Sequence, residues 1–413
     1  MSKPWLNSFL EKASPVKERV QLEKILADEL IKNVYNFDLS SYGEKQEVER
    51  RKLLASAFDL LIAAEYYRGV SHSGWIYCPD KTPYLFYPYT NCCPRCVLKN
   101  VFVFHESNKL ESGSIGSSTS RLLCIFLKSI FEYKKKEIEV LKSVEPVDVI
   151  IRDKKNKYVF LAEIKASPLV TPPLCATSQR LTEETAGTSV ERGHSSSDNS
   201  HLYGSEIHLM IPAKKNDKWV TKYFNIGIRA NLKDEDWAYR GMLELLKNDK
   251  NFFGEFYSFW KEAFSYYYPK KQQDIFWLTN ACGAPYPIPS DWPGRRRGGG
   301  FETISDSKTS VGLDRTDDIK KGIYQVLKIG SEAKPITSDW ALKVGLISNI
   351  HPVRHFSEYL ASLKDIVWTS YPKPVRKAGD LPSEKDIYNL FDGIISLTDT
   401  IVRDVWVKQT FKF

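Results

Sequence analysis

The chain has 413 residues, 42% of them apolar and 27% charged, a balance that excludes a disordered or fibrous polypeptide and allows two or three domains. With 59 Lys and Arg against 51 Asp and Glu, the net charge of +8 excludes an acidic solvating protein and permits a polyanionic partner.

In chain order, residues 16–67 carry apolar positions at three- and four-residue steps (Leu22, Ile25, Leu26, Leu30, then Leu53, Leu54, Phe58, Leu61) and predict helices. The most apolar stretch, Leu53 to Ala64, is interrupted by Asp59 and is too short to cross a bilayer. The opening Met1-Ser2-Lys3-Pro4-Trp5 meets Glu11 and Lys12 before any long apolar run. A cytoplasmic chain with no membrane partner is therefore expected.

The next stretch, 75–96, is rich in Pro, Tyr and Cys and has no helical period. A Gly/Ser segment at 112–118 precedes a helix predicted over 119–143. Two strand-like runs follow at 147–151 and 158–166, joined by the polar turn 152–157, which reads as an antiparallel hairpin. The Ser-, Thr- and Gly-rich segment 177–205 reads as a long loop. Strands near 207–212 and 219–228, helices near 235–246 and 252–264, and a short strand at 275–278 come next. A non-helical Pro/Arg/Gly segment fills 287–300. A helix at 317–329, a strand at 342–348 and helices at 353–363 and 384–402 complete an α/β reading. There is no internal repeat and no G-x-x-x-x-G-K-[ST] phosphate loop.

The seven cysteines are Cys78, Cys92, Cys93, Cys96, Cys124, Cys175 and Cys282. An odd number, with four crowded into nineteen positions, does not resemble a secreted disulfide framework. Cys78, Cys93 and Cys96 have the C-x14-C-x2-C spacing of a tetrahedral zinc site of structural type. The fourth ligand is taken as His105, with Cys92 and His72 as alternatives.

Chemistry concentrates at Glu145-Pro146-Val147-Asp148 and, on the next strand, Glu163-Ile164-Lys165. Side chains at i and i+2 of a strand share a face, so Glu163 and Lys165 point the same way. They end the apolar run Val159 to Ala162, which is hydrophobic enough for an interior strand. Charges there are costly unless paired or solvated. Asp148 lies among Val147, Val149 and Ile150 on the neighbouring strand. Two carboxylates and an ammonium thus meet at one sheet edge, a donor set suited to Mg²⁺.

These residues resemble the metal-binding signature of the PD-(D/E)XK nuclease superfamily, and Ala166-Ser167-Pro168-Leu169 is similar to what type II restriction endonucleases carry at that point. One departure is that Val147 separates Pro146 from Asp148. The resemblance implies a mixed central sheet flanked by helices. It also implies Mg²⁺-dependent, sequence-specific hydrolysis of double-stranded DNA to 5′-phosphate ends. Asp148 and Glu163 would hold Mg²⁺, with the Ile164 carbonyl as a further ligand, and Lys165 would serve the attacking water. Glu137 or Glu139, on the preceding predicted helix, would offer a further acid.

For DNA contact the sharpest features are the Arg295-Arg296-Arg297 cluster, set between glycines, and Asn280 in a turn-rich run. Lys134-Lys135-Lys136 reads as the solvated face of its helix, and His351 and His355 as packing or DNA-facing residues. The resemblance implies a homodimer, in which one active site acts on each strand of a palindrome. The expected organisation has three parts. Residues 1–118 form a helical region with a cysteine-rich subdomain at 72–105, of zinc-ribbon-like type. Residues 119–280 form a catalytic core of restriction-endonuclease-like α/β (α+β) class, carrying the 177–205 loop. Residues 281–413 form an α/β region for DNA recognition and dimerisation. Two alternatives are a PD-(D/E)XK nuclease of repair or recombination and a non-catalytic zinc-containing DNA-binding protein.

Overall fold

The computed structural model describes residues 10–72, 74–78, 84–89, 91–105, 112–177, 206–216, 218–267, 290, 311–334, 340–353, 355–369 and 387–398. The N-terminal region is helical: α1 (Leu22–Asn36) and α2 (Gln46–Arg68) are separated by a 3-10 turn, Ser40–Lys45, in which Gly43 adopts a φ of 51°. A single helical turn, α3 (Pro94–Val97), interrupts the cysteine-rich stretch between the two-residue strands β2 (Ile76–Tyr77) and β3 (Leu85–Phe86) and the long helix α4 (Ser112–Tyr133).

Helix α4 ends ten residues before the predicted boundary. Lys135 takes a left-handed φ of 54°, Lys136 N–H bonds the Phe131 carbonyl and Lys134 N–H that of Ile130. This closing pattern satisfies the last carbonyls of the helix. Nothing in a run of lysines announces it, because lysine is a good helix former. The residues after it instead form β4 (Ile138–Lys142).

The predicted hairpin is present. Strands β5 (Val149–Asp153) and β6 (Tyr158–Ile164) pair antiparallel, Val149 against Ala162 and Asp153 against Tyr158. Their turn is closed by Asp153, whose carboxylate accepts Asn156 N–H at 3.0 Å and Asn156 Nδ2 at 2.7 Å. Beside β6 runs β10 (Ala341–Ser348) in parallel, reached through α7 (Thr316–Ala333). With β1 (Ser14–Pro15) and β13 (Gly393–Ser396), the described residues form a six-stranded mixed sheet ordered β1-β4-β5-β6-β10-β13.

Both faces of this sheet are covered, which explains why β6 is apolar at nearly every position. Phe160, Ala162 and Ile164 join Val149 and Ile151 in a core shared with α1, α2 and α4. Val159 and Leu161 point the other way, with Ile150, Val344 and Leu346, and pack on Ile319, Val326 and Ile329 of α7.

A second, antiparallel sheet has the order β2-β3-β7-β8-β9, where β7 is Leu174–Thr177, β8 Glu206–Lys215 and β9 Lys218–Ile228. Helices α5 (Trp237–Asn248) and α6 (Phe252–Tyr267) follow as expected. Two C-terminal predictions need correction. The stretch 353–363 contains a π-helical turn, Phe356–Leu360, followed by a 3-10 turn, Ala361–Asp365. The stretch 384–402 contains β12 (Ile387–Asn389), paired with β11 (Val367–Thr369), and β13 in place of a helix. Tertiary pairing decides the last case, because Gly393–Ser396 lies parallel to Gly345–Ser348. The backbones approach so closely that a Cβ on Gly345 would sit 2.0 Å from the Gly393 carbonyl oxygen.

The chain is therefore mixed α/β, with a helical N-terminal region, a mixed sheet and a buried three-cysteine cluster. Among the described residues no helix is long and apolar enough to cross a membrane.

Candidate functional site

Asp148 precedes β5, and its N–H bonds the Ala162 carbonyl at 3.1 Å. The register that sets Val149 against Ala162 brings Asp148 opposite Glu163. Like charges directly opposite on neighbouring strands repel. Glu163 is buried, 7% exposed, and lies in register with Leu346 of β10. Its carboxylate pairs with the Lys165 ammonium, and Asp148 Oδ2 accepts the Ile164 N–H at 2.9 Å. The three residues predicted from the sequence are thus together at one end of the sheet. Burial first, then the Asp148 carboxylate, lifts Glu163 from 4.5 to about 7, against the opposing pull of Lys165.

The segment after Lys165 is held at several points. Lys165 N–H continues the ladder to the Ile347 carbonyl at 2.9 Å. Beyond it the fully buried Asn349 side chain substitutes for a strand: Nδ2 donates to the Ser167 carbonyl at 2.7 Å and Oδ1 accepts Ser167 N–H at 3.2 Å. Ser167 Oγ accepts Gly312 N–H at 2.9 Å. Asp59 of α2 accepts Leu169 N–H, Val170 N–H and Trp260 Nε1–H on a single oxygen, at 2.8–3.0 Å. Burial raises the Asp59 carboxyl to about 8, the three donors opposing it. None of these supports was read from the sequence. Asn349 and Asp59 have no local pattern that links them to Lys165 across about 180 and 110 positions.

The helix expected to carry a further acid is corrected. Glu139 lies on β4, where it pairs with Arg152 and Lys154 at 2.6 and 2.7 Å. Glu137 precedes that strand and lies outside α4. Among the described residues no third His, Cys, Asp or Glu joins Asp148 and Glu163 in a metal-sized group.

Such a group exists at the cysteines. The Sγ atoms of Cys78, Cys93 and Cys96, all buried, lie within 4.8 Å of one another, with Cys78 and Cys96 at 3.4 Å. Four thiolates around zinc at about 2.3 Å would stand about 3.8 Å apart, so the three thiols need only a small adjustment to hold an ion. The knuckle is built locally: Cys93 precedes α3, its carbonyl accepts Val97 N–H, and the Cys96 carbonyl accepts Lys99 and Val101 N–H. Burial, then Cys78 and Cys96, push the Cys93 thiol well above its ordinary range. A bound cation would offset that cost by pairing with the thiolates, the displaced protons passing to solvent.

His105, the expected fourth ligand, is not part of this group. Its backbone pairs with Asn91 on both sides, and its ring packs on Phe86 at 5.0 Å. Nor do the alternatives join it. Cys92 forms a β-bridge with Phe104, and His72 lies by Arg229, whose guanidinium donates to the His72 carbonyl at 2.5 Å. Cys175 is on β7 opposite Phe86 and shares the apolar cluster of Cys78, Cys93 and Cys96.

His351 and His355 pack on Phe356 and Tyr359. Asn280, Arg295, Arg296, Arg297 and Cys282 lie outside the described residues, as does 178–205. No protein-family model, curated protein or solved structure matches the chain.

Proposed function

We propose that the chain is a Mg²⁺-dependent, sequence-specific double-stranded DNA endonuclease of the PD-(D/E)XK type, hydrolysing phosphodiesters to 5′-phosphate ends. The observation that supports it most is the meeting of Asp148, Glu163 and Lys165 at the end of β5 and β6. A second support is the mixed sheet with helices on both faces, which agrees with the family resemblance.

Two facing carboxylates, one of them lifted by burial and then by the other, form a donor set that a hard divalent cation satisfies, and Asp148 and Glu163 would hold it. When bound, that ion lowers the pKa of a coordinated water and neutralises charge on the phosphate. Glu163 releases its proton as a cation is taken up, so uptake strengthens as the pH rises through about 7. Lys165, held by Glu163 and by its backbone bond to Ile347, orients the attacking water and stabilises charge growing on phosphorus. Asn349 and Asp59 keep the segment after Lys165 from drifting.

The Cys78-Cys93-Cys96 group is assigned to structural zinc, because three buried thiols at this spacing are a soft donor set. Arg295, Arg296, Arg297 and Asn280 remain the proposed base and phosphate contacts, with a homodimer as the working assembly.

The test is incubation of the purified chain with phage DNA, with and without Mg²⁺. Discrete fragments support the reading; structure-dependent cuts favour repair; intact DNA refutes hydrolysis. Lys165→Ala is expected to abolish cleavage and leave DNA binding nearly intact, and full activity in that variant would sink the assignment.

A further inference from the structure

Away from the three residues just described, three arginines from three parts of the chain converge on two buried glutamates. Glu65, near the end of α2, accepts Arg19 Nη1 at 3.0 Å, Arg68 Nε at 3.1 Å and the Tyr239 hydroxyl at 2.8 Å. Glu23, on α1 and fully buried, takes both terminal nitrogens of Arg121, Nη2 at 2.7 Å; that Nη2 also stands 3.8 Å from Glu65. Three guanidiniums therefore face two carboxylates.

The excess charge is turned outward. The Arg19 side chain is 47% exposed and that of Arg68 26%. Among the described residues Arg19 uses Nη1, leaving Nε and Nη2, and Arg68 uses Nε and Nη2, leaving Nη1. Arg121 Nε is buried with no hydrogen-bond partner among the described residues. A brace between helices needs no third cation and no outward donors. Guanidiniums pre-oriented by buried carboxylates, with donors left over, suit a phosphate diester, which presents two acceptor oxygens.

One tether ties the cluster to the segment that follows Lys165. Glu65 lies two turns beyond Asp59 on α2, and Asp59 holds Leu169 and Val170, just after Lys165.

We propose that Arg19 and Arg68, oriented by Glu65 and backed by Arg121, form a phosphodiester clamp that seats the backbone of a nucleic acid near the Asp148–Glu163–Lys165 edge. The choice of nucleic acid as the polyanion rests on the nuclease reading.

The test uses the full chain, a short fluorescein-labelled DNA duplex and fluorescence anisotropy, in Mg²⁺-free buffer without chelator, between about 50 and about 200 mM salt. Arg19→Gln and Arg68→Gln are each expected to lower the slope of log K against log salt by about 0.9 and to weaken binding about eightfold at about 0.1 M salt. Unchanged slope and affinity in folded variants overturn the clamp, as does failure of the wild type to bind duplex. Should either variant fail to fold, phenylglyoxal modification of the wild type followed by mass spectrometry replaces it. Duplex is expected to slow modification of Arg19 and Arg68, and equal rates with and without duplex overturn the proposal. The two readings separate cleanly. Salt-dependent binding through these arginines without cleavage in Mg²⁺ removes the nuclease and keeps the clamp; cleavage with unaltered slopes does the reverse.

Discussion

Glu163→Gln turns two carboxylates facing each other across β5 and β6 into one. In the wild type, burial and Asp148 lift Glu163 from 4.5 to about 7. At about 1.4 kcal/mol for each tenfold change in proton affinity, ionised Glu163 costs the folded state about 3 kcal/mol relative to the unfolded chain. A carboxyl whose folded value lies above its unfolded value adds stability that is whole below about pH 4.5 and is lost as the pH rises through about 7. Glutamine does not titrate, so the variant lacks this decline. It is therefore expected to gain on the wild type by up to about 3 kcal/mol between acid and about pH 8, a net figure that already contains the attraction of Lys165, and by about 2.5 kcal/mol between about pH 5 and about pH 8. Urea denaturation of both proteins at about pH 5 and about pH 8, without divalent cation, measures the difference. The same difference at both pH values refutes the reasoning, because Glu163 would then ionise in the fold as it does in the unfolded chain. Adding Mg²⁺ at the higher pH gives a second readout. At a hundredfold excess over Kd the wild type should gain about 2.7 kcal/mol, and the variant clearly less.

Three further outcomes are expected. Purified protein should contain about one zinc per chain, and Cys93→Ser should lose it and melt at lower temperature; a stable wild type without metal would remove the zinc assignment. Gly345→Ala should destabilise the sheet by about 3 kcal/mol or fail to fold, since the new methyl meets the Gly393 carbonyl at 2.0 Å; a wild-type urea midpoint would contradict the β10–β13 pairing. Cation uptake at Glu163, followed by calorimetry, should weaken as the pH falls through about 7 and release protons; affinity independent of pH would remove Glu163 from the ligand set.

How far the site could be read from the sequence depends on the distance over which each feature is set. Val149 to Asp153 and Tyr158 to Ile164 are short apolar runs across a polar turn, so their hairpin is a local event and was legible. The end of α4 was not, because a lysine in left-handed conformation leaves no compositional mark. The apolar residues of 384–402 fit a helical period, yet Gly393–Ser396 gains a parallel partner, Gly345–Ser348, that no local signal names. Proximity in the sequence puts His105 with the thiols, whereas its backbone pairs with Asn91 and its ring packs on Phe86, outside the three-sulfur group.

The sequence by itself determined the alternation that puts Glu163 and Lys165 on one face, the strand that ends in them, and the C-x2-C knuckle. Each depends on residues a few positions apart, where backbone period and turn chemistry decide the geometry. Only the tertiary structure decided that Asp148 stands opposite Glu163, that β10 arrives from some 180 residues downstream to carry Asn349, and that Arg19, Arg68 and Arg121 meet over Glu65. Those contacts are selected by burial and charge pairing across the whole chain, and no local pattern encodes them.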